Sequence, residues 1–157
     1  MVIAAIDPGK TGGIAWRNNQ GLVTALPFTS GMSDDDIVEL ITVMVNADIY
    51  YVEQVGGYIG KPQPGSRMFN FGKNYGILLG ALSATNKLYI TVRPQIWMKS
   101  LGLVNKDKLP SQKWKNVLKD HAKKLYPKAR VTLSTSDALL ILNYACNQVT
   151  HACNEED

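Results

Sequence analysis

Three acids each stand where an apolar run begins or ends, so a chain that buries those runs must bring three carboxylates to the rim of its core. Asp7 closes the first run in "IDPGKTGGIA", Glu53 closes "IYYVEQVGG", and Asp137 opens "STSDALLILNYA". The first two runs read as short buried strands and the third as an apolar helix. A carboxylate at the edge of a hydrophobic core costs free energy unless a cation meets it. Three such groups meeting at one point in a basic chain suggest a divalent metal acting on a polyanion.

The rest of the chain narrows the possibilities. Its 157 residues suit one domain spanning 1–157 with a single substantial core. No apolar run approaches the about 18 residues of a membrane span, and "MVIAAI" is too short for a signal peptide, so a cytoplasmic protein with no membrane partner is expected. Cys146, His151 and Cys153 lie near the end without a CxxC pair and read as ordinary reduced thiols and a tail histidine rather than a zinc site. The net charge of +4 is unevenly spread: twelve basic residues lie between Lys87 and Arg130 against two acids, Asp107 and Asp120. That stretch reads as a phosphate-facing surface, or else as a lysine-rich solvated helix.

Along the chain, "GGIAWR" and "GLVTALPF" flank Asn18-Asn19-Gln20-Gly21 and predict a hairpin. Ser33 caps an expected helix over 34–46, with Asp34, Asp35 and Asp36 favourable at its positive end. "VGGYIGKPQPGS" reads as a loop and about 67–84 as a helix. Gly72, Gly76 and Gly80 lie four apart on that helix, a pattern that admits a close neighbour and places it at an element or subunit contact. "LYITV" predicts a strand, 94–101 a short helix, 111–125 an amphipathic lysine-rich helix, and about 136–150 the last helix. This order predicts an α/β fold, a mixed sheet of about five strands with helices on both faces.

"PGKTGG" is not a phosphate-cradling P-loop, because the position five residues before Gly9 holds Ala4 rather than glycine. A kinase or actin-like ATPase shares the Asp-x-Gly-x-Thr-Gly pattern, but needs two domains closing on a nucleotide. No Ser/His/Asp set is visible, and His121 sits within the lysine-rich helix.

Six stretches in register, "AAIDPGKTGGIAW", "YYVEQV", "SRMFNFGKNYGILLGAL", "TVRPQIWMKSLGL", "KNVLKDHAKKLYP" and "TSDALLILNYA", resemble the RuvC-type Holliday junction resolvases of the RNase H and integrase superfamily, most nearly their bacteriophage-encoded branch. The similarity runs from residue 2 to about 146. It implies an RNase H-like fold and a homodimeric endodeoxyribonuclease that nicks four-way DNA junctions symmetrically, leaving 5′-phosphates. It also implies Mg²⁺, or Mn²⁺ as substitute, held by Asp7, Glu53 and Asp137, with no small-molecule cofactor.

The sequence departs from the family at one point. Ser134 stands about one turn ahead of Asp137, where the family carries another acid or sometimes a histidine; it is a candidate fourth ligand whose hydroxyl can orient a metal-bound water but is a poor ligand for a second ion. For DNA contacts, the residues are Lys10, Lys113, Lys115 and Lys119, and around the central loop Tyr58, Lys61, Arg67, Phe69 and Lys73. Phe69 reads either as a wedge between unstacked bases or, with Phe71, as helix core. Two alternatives stay open: an RNase H-fold nuclease acting on flaps, forks or RNA, and a junction-binding protein that cuts feebly.

Overall fold

The computed structural model describes residues 1–9, 11–54, 56, 64–105 and 108–154, the last three by their backbone alone. Five strands form one sheet: β1 (Ile3–Asp7), β2 (Gly13–Arg17), β3 (Val23–Pro27), β4 (Ile49–Glu53) and β5 (Leu88–Val92). The sheet order is β3-β2-β1-β4-β5, with β1, β2 and β3 antiparallel in turn and β4 and β5 parallel to β1. The expected mixed sheet is present.

The hairpin turn between β2 and β3 is built as its residues dictate. The Asn18 side chain accepts from the amides of Gln20 and Leu22, and Gly21 takes the left-handed φ of 82° that a side chain resists. Glycine is required for a different reason at the start of β2. A Cβ on Gly12 would lie 2.2 Å from the Asp7 carbonyl oxygen, and one on Gly13 would lie 2.6 Å from that of Leu26 and 3.0 Å from that of Ser134. The turn after Asp7 and the β2 edge therefore close onto one another, and onto the segment leading to the last helix, only because no side chain intervenes.

Side-chain alternation divides the core in two. Ala4, Ile6, Ile14, Tyr50 and Val52 point to one face and pack under α1 (Asp34–Glu39) and α2 (Gly65–Ala84). Ile3, Ala5, Ala15, Ile49 and Tyr51 point to the other, under α3 (Pro94–Ser100), α4 (Ser111–Leu125) and α5 (Ser136–Asn154). Helices cover both faces, as expected. α5 is the central support, with Ala138 through Leu142 wholly buried.

Some elements differ in detail from the sequence reading. The helix expected over 34–46 begins with a Ser33–Asp36 capping box, but after Glu39 its turns widen to π type through Leu40–Val45 and end at Asn46 in the left-handed region. α2 starts at Gly65, and α5 runs four residues beyond Thr150 to Asn154. Among the described residues the glycine row of α2 meets no other element: a Cβ on Gly72, Gly76 or Gly80 would find nothing within 4 Å. Among those residues the intramolecular contact allowed for in the sequence is absent, and they leave the face open. Cys146 is a buried free thiol, as a packing residue should be. Among the described residues no helix is long and apolar enough to cross a membrane.

Candidate active site

Strand register brings two of the three acids together. Ile6 is paired with Val52 on adjacent parallel strands, so the next residues, Asp7 and Glu53, leave the same end of the sheet side by side. Both continue the odd-numbered series whose earlier members, Ile3, Ala5, Ile49 and Tyr51, face α5. α5 begins at that edge with Ser136 and Asp137, the latter in its first turn.

The charge of Asp137 reaches both strand-end acids, and burial acts on all three. Glu53 is pushed up from 4.5 to about 8, chiefly by burial and then by the fields of Asp7 and Asp137. Asp7 rises from 3.8 to about 6 through burial and the Asp137 charge. Burial likewise raises Asp137.

Each acid is held by a donor. Asp7 Oδ1 accepts from the Gly9 amide at 3.2 Å, so the turn role and the site role coincide in one residue. Glu53 Oε2 accepts from the indole Nε1–H of Trp97 at 3.1 Å. Asp137 Oδ1 lies 3.2 Å from the hydroxyl of wholly buried Ser136, whose proton is shared with the Leu133 carbonyl. On α4, Lys115 extends its ammonium to 4.0 Å from Asp137 Oδ2, and its charge opposes the rise of all three acids.

The donor set suits a hard divalent cation such as Mg²⁺ or Mn²⁺, which prefers carboxylate oxygens. Among the described residues no three acid, histidine or cysteine side chains stand close enough together to hold a metal ion as they are. Among those residues Lys115 is the cation that opposes the three acids, and like charges so lightly opposed stand apart.

The remaining sequence-derived candidates are spread around this edge or lie elsewhere. Ser134 is half-buried, and its carbonyl packs against Gly13; the hydroxyl that reaches Asp137 belongs to Ser136. Lys113 is exposed and Lys119 half-buried on α4. Arg67 and Phe69 lie in the first turns of α2, and Phe69 is 72% exposed, which removes the packed-core reading for that ring, while Phe71 is half-buried. Lys73 pairs with Asp34 at 3.7 Å, with both side chains about half exposed. Lys10, Tyr58 and Lys61 lie outside the described residues.

Sequence reasoning missed Trp97 and Ser136. Ser136 adjoins Asp137, but the family spacing pointed to Ser134 instead. Trp97 is 44 residues from Glu53 and no local pattern couples them.

Neither protein-family models nor curated protein sequences match the chain. Solved structures do. Thermus thermophilus RuvC in complex with a Holliday junction substrate superposes with a TM-score of 0.60 at 17% identity, covering 90% of each chain. A second Thermus thermophilus RuvC structure gives 0.56 at 16% identity over 90% of this chain and 91% of that one. The fowlpox virus Holliday junction resolvase gives 0.50 at 13%, over 96% and 99%. At such identities the shared property is the fold: this chain has the RNase H-like fold of the RuvC-type Holliday junction resolvases.

Proposed function

We propose that the chain is a metal-dependent endodeoxyribonuclease that resolves four-way DNA junctions as a homodimer, by symmetric nicks that leave 5′-phosphates. The observation that supports this reading is the register that sets Asp7 beside Glu53 at one sheet edge, both half-enclosed and within the field of Asp137 at the start of α5. The fold shared with junction resolvases supports the substrate class.

Asp7, Glu53 and Asp137 would hold Mg²⁺ or Mn²⁺, which supplies the Lewis acidity that a phosphodiester, shielded by its own oxygens, requires. The Gly9 amide and the Ser136 hydroxyl fix the orientations of Asp7 and Asp137. Lys115 places a positive charge beside Asp137, where it can meet a phosphate oxygen and hold the strand against the acids. Lys113 and Lys119 on α4 and Arg67 and Lys73 on α2 would add phosphate contacts, and the Phe69 ring, 72% exposed, would stack on bases in the opened centre of a junction. Lys73 stays available, because an exposed pair such as Lys73–Asp34 is worth at most about 1 kcal/mol. The open glycine face of α2 is the surface we assign to the dimer, since one site cannot cut two symmetric strands in concert.

The test is cleavage of a synthetic mobile four-way junction with Mg²⁺ or Mn²⁺, beside a flap and an RNA duplex, with Asp7→Asn as control. Paired nicks on the junction that vanish in Asp7→Asn support the reading. Preferred cleavage of flap or RNA reassigns the substrate. Binding without cleavage in both proteins, the outcome to which Ser134 would then be relevant, leaves a junction-binding protein.

A further inference from the structure

We infer that Trp97 is a positioning residue for Glu53, locking the carboxylate that would take part in cation binding to the hydrophobic core that carries Asp137. This rests on the proposed nuclease reading and deepens it. Trp97 is wholly buried in α3, in the same apolar cluster as Val92, Ala138, Leu139 and Leu142. Its ring is therefore enclosed in the core cluster to which the first buried residues of α5 also belong. From this rigid seat its indole N–H donates to Glu53 Oε2 at 3.1 Å.

An indole N–H can donate but can neither accept nor ionise. It stays directed at the carboxylate whatever the charge state of its surroundings, unlike a hydroxyl or a lysine. A buried indole N–H needs a partner, and here the partner is a catalytic candidate rather than a backbone carbonyl. Glu53 sits on β4 and Asp137 on α5, so Trp97 sets the placement of one acid relative to the element that bears another. Donors behind metal-binding carboxylates commonly contribute about 10–100-fold in metal affinity.

Trp97→Phe keeps an aromatic ring, though a smaller one that leaves a cavity, and removes the N–H. Calorimetric titration of the full chain with Mn²⁺ should show affinity weakened by about tenfold. In a Glu53→Ala background the same change should have no further effect on Mn²⁺ affinity. A purely structural tryptophan would lower the melting temperature in Trp97→Phe yet leave Mn²⁺ affinity at the wild-type value, and that result overturns the inference. A wild-type chain that binds no Mn²⁺ overturns the nuclease reading and this inference together, which separates the two failures.

A second measurement holds even where Trp97→Phe does not fold. The chain has three tryptophans, so ¹⁵N-tryptophan labelling of the wild type gives three indole signals. Mg²⁺ should shift the Trp97 signal in the wild type and not in Glu53→Ala. A Trp97 signal indifferent to Mg²⁺ in the wild type contradicts the role.

Discussion

Glu53, held near pH 8 by burial and by two neighbouring acids, sets the first expectation. A raised carboxylate pKa means that the folded chain retains a proton the unfolded chain has released. Stability in the absence of metal must then fall as pH rises from the ordinary 4.5 of Glu53 towards 8. The melting temperature without divalent ions should drop from pH 5 to pH 8, and Mg²⁺ or Mn²⁺ should restore it at pH 8. Glu53→Gln should raise it at pH 8 by roughly 2–4 °C, equivalent to about 1 kcal/mol, while abolishing cleavage. A flat profile, measured by differential scanning fluorimetry, would mean that Glu53 is not raised by its burial and its neighbours. Gly12 gives a second test. Its missing Cβ would stand 2.8 Å from Asp7 Cγ, so Gly12→Ala should cost roughly 1–3 kcal/mol by urea unfolding and reduce cleavage by displacing Asp7. A third test separates two lysines of α4: Lys115→Ala should lower cleavage roughly 10²-fold, whereas exposed Lys113→Ala should mainly reduce the salt dependence of binding. Equal effects would remove Lys115 from the site. At this scale the sequence exposed the acids, because a charge terminating an apolar run conflicts with burial. It concealed Trp97 and Ser136, whose roles exist only after α3 and α5 pack on the sheet.

At the scale of elements, α2 bears two expectations. Among the described residues its glycine face is open, and a Cβ added at Gly76 meets none of them within 4 Å. Gly76→Leu should therefore leave the monomer folded, and slightly more stable because glycine costs about 1 kcal/mol within a helix. It should nevertheless yield a monomer by light scattering if that face forms the dimer. A Gly76→Leu chain that remains dimeric would place the interface elsewhere. At the helix's other end, Phe69→Ala should preserve stability, because the ring is already 72% exposed, and reduce junction cleavage selectively over binding to plain duplex. The strands were legible because each pairs a short β-rich run with a turn signal, as Asn18–Gly21 does. The helix boundaries were less so. The widening of the helix after Glu39 follows no local motif, and the choice between element and subunit contact for α2 depends on where its neighbours fall.

For the whole molecule, topology accounts for the site. Parallel pairing of β1 with β4 sets Asp7 beside Glu53, alternation turns both towards α5, and close approach of Ser134 to Gly13 brings the segment that leads into α5 to the same edge. The order of elements predicted a mixed sheet with helices on both faces, but not which strands would be neighbours. The most direct measurement is anomalous diffraction from crystals of the chain equilibrated with Mn²⁺. The account predicts a manganese peak bounded by oxygens of Asp7, Glu53 and Asp137, and its loss in Asp7→Asn crystals. Saturating Mn²⁺ with no peak at those carboxylates would contradict it.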